Sequence, residues 1–433
     1  MRRIMGKNNK KYSRRLLAAL LLFSMLEISG CSYSGNQVGF IQQPKADNSK
    51  EEDLTQKIKG ILPAGAEFLT ADHSDKKQSI VLTDINQDGK PEALVLYRDT
   101  RDNKQVHFLM LQEKDGSYEK IWDQETGFSS FDSFEVLDLD GDGKKEIIAG
   151  GQISGPESPK QLFIYELNQG QLVQKENRSY EKLLIRQFGN SQTPSLFLVE
   201  GKIEEEQKAE LFSYEAGQLI SRSSVELNPQ AVPEQITAGL LADGADAVFV
   251  DSGVGAHSML TEILGVKDEK LIKIGDDNDR TLMKEYPLTS RDLNGDGVIE
   301  AAGMYIPYGY EDAAMAEIPF IQVYYDYKLN GSKTAVEERY AEEGQHFFIS
   351  IPSDLYGKIT VKRLDQGVRL VTVSGGETVF EVKWAKKENA DQHGTILGRT
   401  NDTIYYTELK DELPISRDQF HLMGEENESN TGS

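Results

Sequence analysis

An all-β fold, a propeller-like array of about five four-stranded repeats followed by a small β-rich C-terminal domain, is predicted by three observations. Short apolar runs of strand length recur along the middle of the 433-residue chain. Three of them follow an acidic, glycine-bearing loop of a single pattern. These loops and two weaker relatives fall on a period of about fifty residues, the length of one four-stranded blade.

The chain opens with a targeting segment rather than a fold. Arg2, Arg3, Lys7, Lys10, Lys11, Arg14 and Arg15 precede the apolar run from Leu16 to Ile28, which is too short to span a bilayer as a helix. The run ends in Ile28-Ser29-Gly30-Cys31, and this tetrapeptide resembles the lipobox of bacterial lipoproteins. The resemblance implies that residues 1–30 are a signal peptide and that Cys31 is the lipidated first residue of a protein held at the extracytoplasmic face of the cell membrane. Cys31 is the only cysteine, so no internal disulfide can form. Two or three acyl chains anchor a protein without a membrane-spanning helix.

Residues 1–30 carry seven basic residues and one acid, so their removal takes the net charge from −23 to −29. Such a chain disfavours nucleic acid and anionic lipid as partners and favours cations. Residues 31–53, rich in Ser, Asn, Gln and Lys, read as a flexible stalk, and residues 424–433 as a disordered tail.

The repeat region is expected over residues 60–332. Its three full loops are Asp84-Ile85-Asn86-Gln87-Asp88-Gly89-Lys90-Pro91-Glu92, Asp138-Leu139-Asp140-Gly141-Asp142-Gly143-Lys144-Lys145-Glu146 and Asp292-Leu293-Asn294-Gly295-Asp296-Gly297-Val298-Ile299-Glu300. Apolar runs follow at Ala93 to Tyr97, Ile147 to Ala149 and Ala301 to Ile306. Weaker copies lie near Ser191, before Leu196 to Val199, and near Asp243, before Ala247 to Val250. Taking Asp88, Asp142, Ser191, Asp243 and Asp296 as equivalent, the steps are 54, 49, 52 and 53 residues. Hairpin signals complete the blades, at Lys114-Asp115-Gly116, Asn168-Gln169-Gly170 and Ala216-Gly217.

Oxygen-bearing side chains at positions 1, 3, 5 and 9, with a backbone carbonyl at 7 and glycine at 6, can wrap one hard cation. The acid stands at position 9 between strands, so the loop is no EF-hand, which needs its acid at 12 between helices. It resembles the FG-GAP or VCBS repeat, the calcium-binding β-propeller unit of integrin α-chains and many secreted bacterial proteins, over roughly residues 65 to 330. The resemblance implies structural Ca²⁺ on Asp84, Asn86, Asp88 and Glu92 with the Lys90 carbonyl, on Asp138, Asp140, Asp142 and Glu146 with the Lys144 carbonyl, and on Asp292, Asn294, Asp296 and Glu300 with the Val298 carbonyl. The copies near Ser191 and Asp243 lack the ligand series, so no metal is expected there.

Residues 340–415 read as a separate small domain with strands at Phe347 to Ile351, Lys358 to Arg363, Val368 to Val373, Thr378 to Lys383, Ile396 to Leu397 and Thr403 to Thr407. It is loosely similar to a β-rich module at the ends of Gram-positive surface proteins.

No metalloprotease helix and no nucleophile elbow occurs among the motifs, and the six histidines are scattered. Asp251 and His257, on the glycine-rich stretch Asp251 to Ser258, form the one candidate ligand-binding pair. The reading that follows is a non-catalytic, calcium-stabilised surface scaffold for a protein or a cell-wall or extracellular polysaccharide. The alternative is an extracellular hydrolase or lyase acting on glycan or phosphoester near Asp251 and His257.

Overall fold

The computed structural model describes residues 48–72, 78–101, 105–153, 158–201, 206–275, 280–387, 394–409 and 414–423. The leader, Cys31, most of the stalk, His73, His393 and the tail lie outside them. Residues 1–51 and 52–433 form separate compact units, and the description below concerns the second apart from the first residues of one helix.

Six antiparallel sheets of four or five strands follow one another among the described residues. The first holds β1 (Ala66–Phe68), β2 (Ile80–Thr83), β3 (Glu92–Asp99), β4 (Gln105–Lys114) and β5 (Ser117–Glu125). The second runs β6 (Ser130–Leu137), β7 (Glu146–Gln152), β8 (Lys160–Asn168) and β9 (Gln171–Tyr180). The third runs β10 (Lys182–Arg186), β11 (Ser195–Glu200), β12 (Lys208–Glu215) and β13 (Gln218–Glu226). The fourth has β14 (Ala231–Leu240), β15 (Asp246–Val254), β16 (Ser258–Lys267) and β17 (Lys270–Ile274), with β18 (Met283–Lys284) paired to β16. The nearly all-β class expected from the sequence is therefore observed, with each of these sheets a hairpin-linked meander.

The packing explains the sequence pattern. The strands β3, β7, β11 and β15 each lie between two neighbours and are buried on both faces, so they read as unbroken apolar runs rather than alternations. In β11, Leu196 and Leu198 pack toward the second sheet while Phe197 and Val199 pack toward the fourth. In β15, Val248 and Val250 face the third sheet, and Ala247 and Phe249 face the fifth. The last strands, such as β9 and β13, are mostly exposed and polar. The tight turns before them hold both central residues left-handed: Asp115 and Gly116, Gln169 and Gly170, Ala216 and Gly217. That is the hairpin geometry matching strand twist.

Two boundaries differ from expectation. A helix, α1 (Asn48–Lys59), begins inside the segment read as stalk. Leu54 and Ile58, four residues apart, lay one apolar stripe on β3 and β4 beside Leu62, Ala93, Val95 and Leu109. The stripe is narrow and the remaining residues are polar, which is why composition suggested a tether. The second difference lies near residue 340. The fifth sheet is β19 (Ala301–Tyr305), β20 (Ile321–Tyr327), β21 (Lys333–Glu342), β22 (Phe347–Ile351) and, returning from the end of the described chain, β28 (Phe420–Leu422). Its ladder runs straight across the expected break, with Tyr340 opposite Ile349.

The sixth sheet comprises β23 (Ile359–Leu364), β24 (Gly367–Thr372), β25 (Thr378–Lys386), β26 (Thr395–Arg399) and β27 (Thr403–Thr407). Its apolar face shares one core with the fifth sheet through Phe347, Ile349, Val361, Leu370, Phe380 and Tyr405. Arg369 pairs with the buried Glu381 on that sheet. Clusters join the sheets in chain order, first to second, second to third and so on to the sixth. Among the described residues none joins the sixth back to the first, whose outward face is covered by α1.

Candidate metal centres

All three acidic loops lead directly into a strand buried in its sheet. The first links β2 to β3 and the second β6 to β7. The third precedes β19 and is closed by a bridge between Arg291 and Glu300.

One hydrogen-bond frame recurs in each. In the second loop the Asp138 carboxylate accepts the N–H groups of Gly141 (2.7 Å) and Gly143 (2.9 Å). Asp140 accepts the Asp142 N–H, Asp142 accepts the Lys144 N–H, and Glu146 reaches back to the Leu139 N–H at 2.8 Å. The third loop repeats this with Gly295 and Gly297 on Asp292, Asp296 on Asn294, Val298 on Asp296 and Leu293 on Glu300. The first has Gly89 on Asp84, Asp88 on Asn86, Lys90 on Asp88 and Ile85 on Glu92. Positions 4 and 6 both take positive φ, at Gly141 (77°) and Gly143 (87°) for example, and Gln87 (62°) stands at position 4 of the first loop. The sequence pattern identified only the second of these requirements.

Asp138, Asp140 and Glu146 converge with carboxylate oxygens within 4.8 Å of one another, and so do Asp292, Asp296 and Glu300. Either triad can hold a metal ion. The first loop differs because Asn86 occupies its middle. The Asn86 amide donates to Glu92 (2.8 Å) and Asp88 (3.3 Å), bridging the acids as a cation would. The Oδ1 atom of Asp84 is nevertheless buried without a hydrogen-bond partner, an orphaned acceptor that a cation would satisfy. In the second loop Lys144 folds its ammonium onto Asp142 at 2.9 Å.

The ninth-position acids are the buried members, with Glu92 0 %, Glu146 3 % and Glu300 2 % exposed. Burial, followed by the neighbouring aspartates, pushes the Glu146 carboxyl up from 4.5 to about 7, and burial does the same to Glu300 with Asp326 and Asp292 beside it. Glu92 is raised for the same reason. A carboxyl raised in the fold takes up protons on folding, so its penalty is absent below about pH 4.5 and complete above about pH 7. A bound cation holds the same groups ionised and cancels that penalty. The difference in melting temperature between calcium-containing and EGTA-containing samples is therefore expected to widen as pH rises from 5 to 7.5, measured by circular dichroism. A constant difference would show that these acids do not titrate with the site.

The two loops without the ligand series are tied by ordinary hydrogen bonds. Asp243 accepts the Leu329 N–H, and Asp246 accepts the Gly189 N–H at 2.6 Å.

Asp251 and His257 stand in different surroundings. Asp251 is fully buried in β15, whereas His257 is exposed on the turn to β16. The Asp251 carboxylate is occupied by the Lys284 ammonium (2.8 Å), the Thr261 hydroxyl, and the Ser290 N–H (2.8 Å). The glycine-rich segment that suggested a binding loop is mostly strand. Two groupings carried no sequence signal. One is this buried network, made across more than thirty residues of chain. The other is His107, which stacks on Tyr97 and places Nδ1 3.1 Å from Asp123, on three successive strands of the first sheet.

A family model for the FG-GAP-like repeat matches residues 73–149, the stretch holding the first two acidic loops. No curated protein matches the chain in sequence. Among solved structures, a candidate 6-phosphogluconolactonase from Bacteroides fragilis is 10 % identical with a TM-score of 0.29, over 72 % of this chain and 92 % of that one. The exotype rhamnogalacturonan lyase YesX is 13 % identical with a TM-score of 0.29, over 76 % and 72 %. A rhamnogalacturonan lyase of Bacillus licheniformis is 12 % identical with a TM-score of 0.28, over 70 % of each chain. Overlap this loose transfers no activity, and the chain is one that contains an FG-GAP-like repeat within a β-sheet array.

Proposed function

We propose that the chain is a lipid-anchored, calcium-organised scaffold at the extracytoplasmic face of a bacterial membrane, binding a protein or a surface polysaccharide without catalysing a reaction. The observation that carries it is the shared frame of the acidic loops, with two triads converged within 4.8 Å and their deepest acid buried. Ca²⁺ accepts six to eight oxygens in flexible geometry, which suits carboxylates supplemented by Asn oxygens and a position 7 carbonyl. Extracellular calcium modules work at roughly 10⁻⁴–10⁻³ M, a concentration found outside cells. A chain with one cysteine has no disulfide with which to fix its loops, and cations at the blade turns do that instead. The loops so fixed present a constant surface, the property binding scaffolds exploit.

The anchor reading rests on Ile28-Ser29-Gly30-Cys31 and the short apolar run before it. Among the described residues no helix is long and apolar enough to cross a membrane. Cell fractionation tests it. The parent chain is expected in the membrane fraction, and Cys31→Ser is expected to lose lipid labelling and to leave that fraction after mild washing. Equal lipid labelling of both would remove the anchor. The enzymatic alternative drew on Asp251 and His257, of which Asp251 is buried against Lys284.

A further inference from the structure

The ladder sets one side chain of the facing strand opposite the ninth residue of each acidic loop. In the first sheet the ladder pairs Ala93 with Leu111, which places Gln112 opposite Glu92 one residue further on. In the second sheet Ile147 faces Tyr165, so Glu166 stands opposite Glu146. In the fifth sheet Ala301 faces Tyr325, so Asp326 stands opposite Glu300. The sheets whose loops lack the ligand series differ at this point. There the ladder sets Ser213 opposite Ser195, and Val266 opposite Asp246. A Gln, Glu or Asp stands on the facing strand only where the loop itself carries ligands.

The three residues are differently engaged. Gln112 reaches the first loop and donates to Asp88 at 3.2 Å. Glu166 is committed elsewhere, accepting the Tyr214 hydroxyl at 2.9 Å and pairing with Lys175 at 2.9 Å. Asp326 is partly buried, its Oδ1 is fully enclosed, and that atom has no hydrogen-bond partner. Like charges directly across a ladder destabilise a sheet. Glu300 with Asp326 is such a pair, and Asp296 stands close enough to add to it. A buried, unpartnered carboxylate oxygen beside three converged carboxylates is unfavourable unless a cation lies among them.

We propose that Asp326, on β20 outside the loop, is a further carboxylate ligand of the third cation site, which thereby reaches the four acids of the second site and exceeds the three of the first. This rests on the calcium reading above. The side chains around the site are then Asp292, Asn294, Asp296, Glu300 and Asp326, four acids and one amide. Affinity at such sites rises with the count of charged ligands. Because Asp326 lies on a different strand from the loop, the ion would also tie the loop to β20.

The test is calcium calorimetry on the full chain, paired with melting curves in Ca²⁺ and in EGTA, for the parent, Asp326→Asn and Asp326→Ala. The expected result is that one binding step weakens by at least about tenfold in both variants while the others keep their affinities. In EGTA neither variant melts below the parent, because a repulsive carboxylate has been removed, whereas in Ca²⁺ both gain less. If the parent binds Ca²⁺ and the variants bind it identically, or if they lose the same melting temperature with and without Ca²⁺, Asp326 is not a ligand and only this inference falls. A parent that binds no Ca²⁺ removes the calcium reading itself.

Discussion

Lys284→Met is expected to lower the melting temperature by roughly 10 °C, the largest single-residue effect in the molecule. Lys284 and Asp251 are both 0 % exposed, and their charges meet at 2.8 Å. Burial pulls the Lys284 ammonium below its usual range, and Asp251 opposes that pull. The ammonium also donates to the Thr261 hydroxyl, which donates in turn to Asp251. Met fills similar volume but leaves Asp251 charged and unpaired in the core. Breaking one side of a buried pair costs about 3–5 kcal/mol, and in a domain of a few hundred residues each kcal/mol corresponds to roughly 2–4 °C. Replacing both partners removes the stranded charge. Lys284→Met combined with Asp251→Asn should therefore recover a large part of the loss, since Asn still accepts the Ser290 N–H. Additive losses in a double-mutant cycle would show that the two groups act independently.

This network also shows where sequence reading stops. The blades were legible because β3, β7, β11 and β15 carry unbroken apolar runs and because the turns at Asp115, Gln169 and Ala216 precede glycines. The cation loops were legible because their donors and acceptors lie within nine residues of one another. Asp251 was misread because its partner is 33 residues distant, across a ladder that no local pattern announces. Asp326 was invisible for the same reason. Only the register of β19 on β20 brings it opposite Glu300. The expected break near residue 340 rested on a change in repeat spacing, whereas β21 and β22 extend the fifth sheet through it.

Glu146→Gln separates the frame of a cation loop from its charge. The amide keeps an acceptor for the Leu139 N–H, so the turn should persist, while the buried carboxylate is lost. In EGTA at pH 7.5 the variant is expected to melt no lower than the parent, because the ionised Glu146 is penalised by burial there. In saturating Ca²⁺ the order reverses. At free calcium 100 times its dissociation constant, each site contributes about 2.7 kcal/mol, so three sites contribute about 8 and loss of one removes about a third. Melting curves in the two conditions check the reversal. A variant that is equally destabilised in both would assign Glu146 a purely structural part.

The central claim is that the acidic loops of this sheet array are cation sites. Titration of Ca²⁺ into the metal-stripped full chain at pH 7.5 by isothermal calorimetry tests it most directly. Three bound ions are expected, with a rise in melting temperature that tracks occupancy. No binding heat at millimolar Ca²⁺, together with melting curves identical in Ca²⁺ and EGTA, would contradict the account.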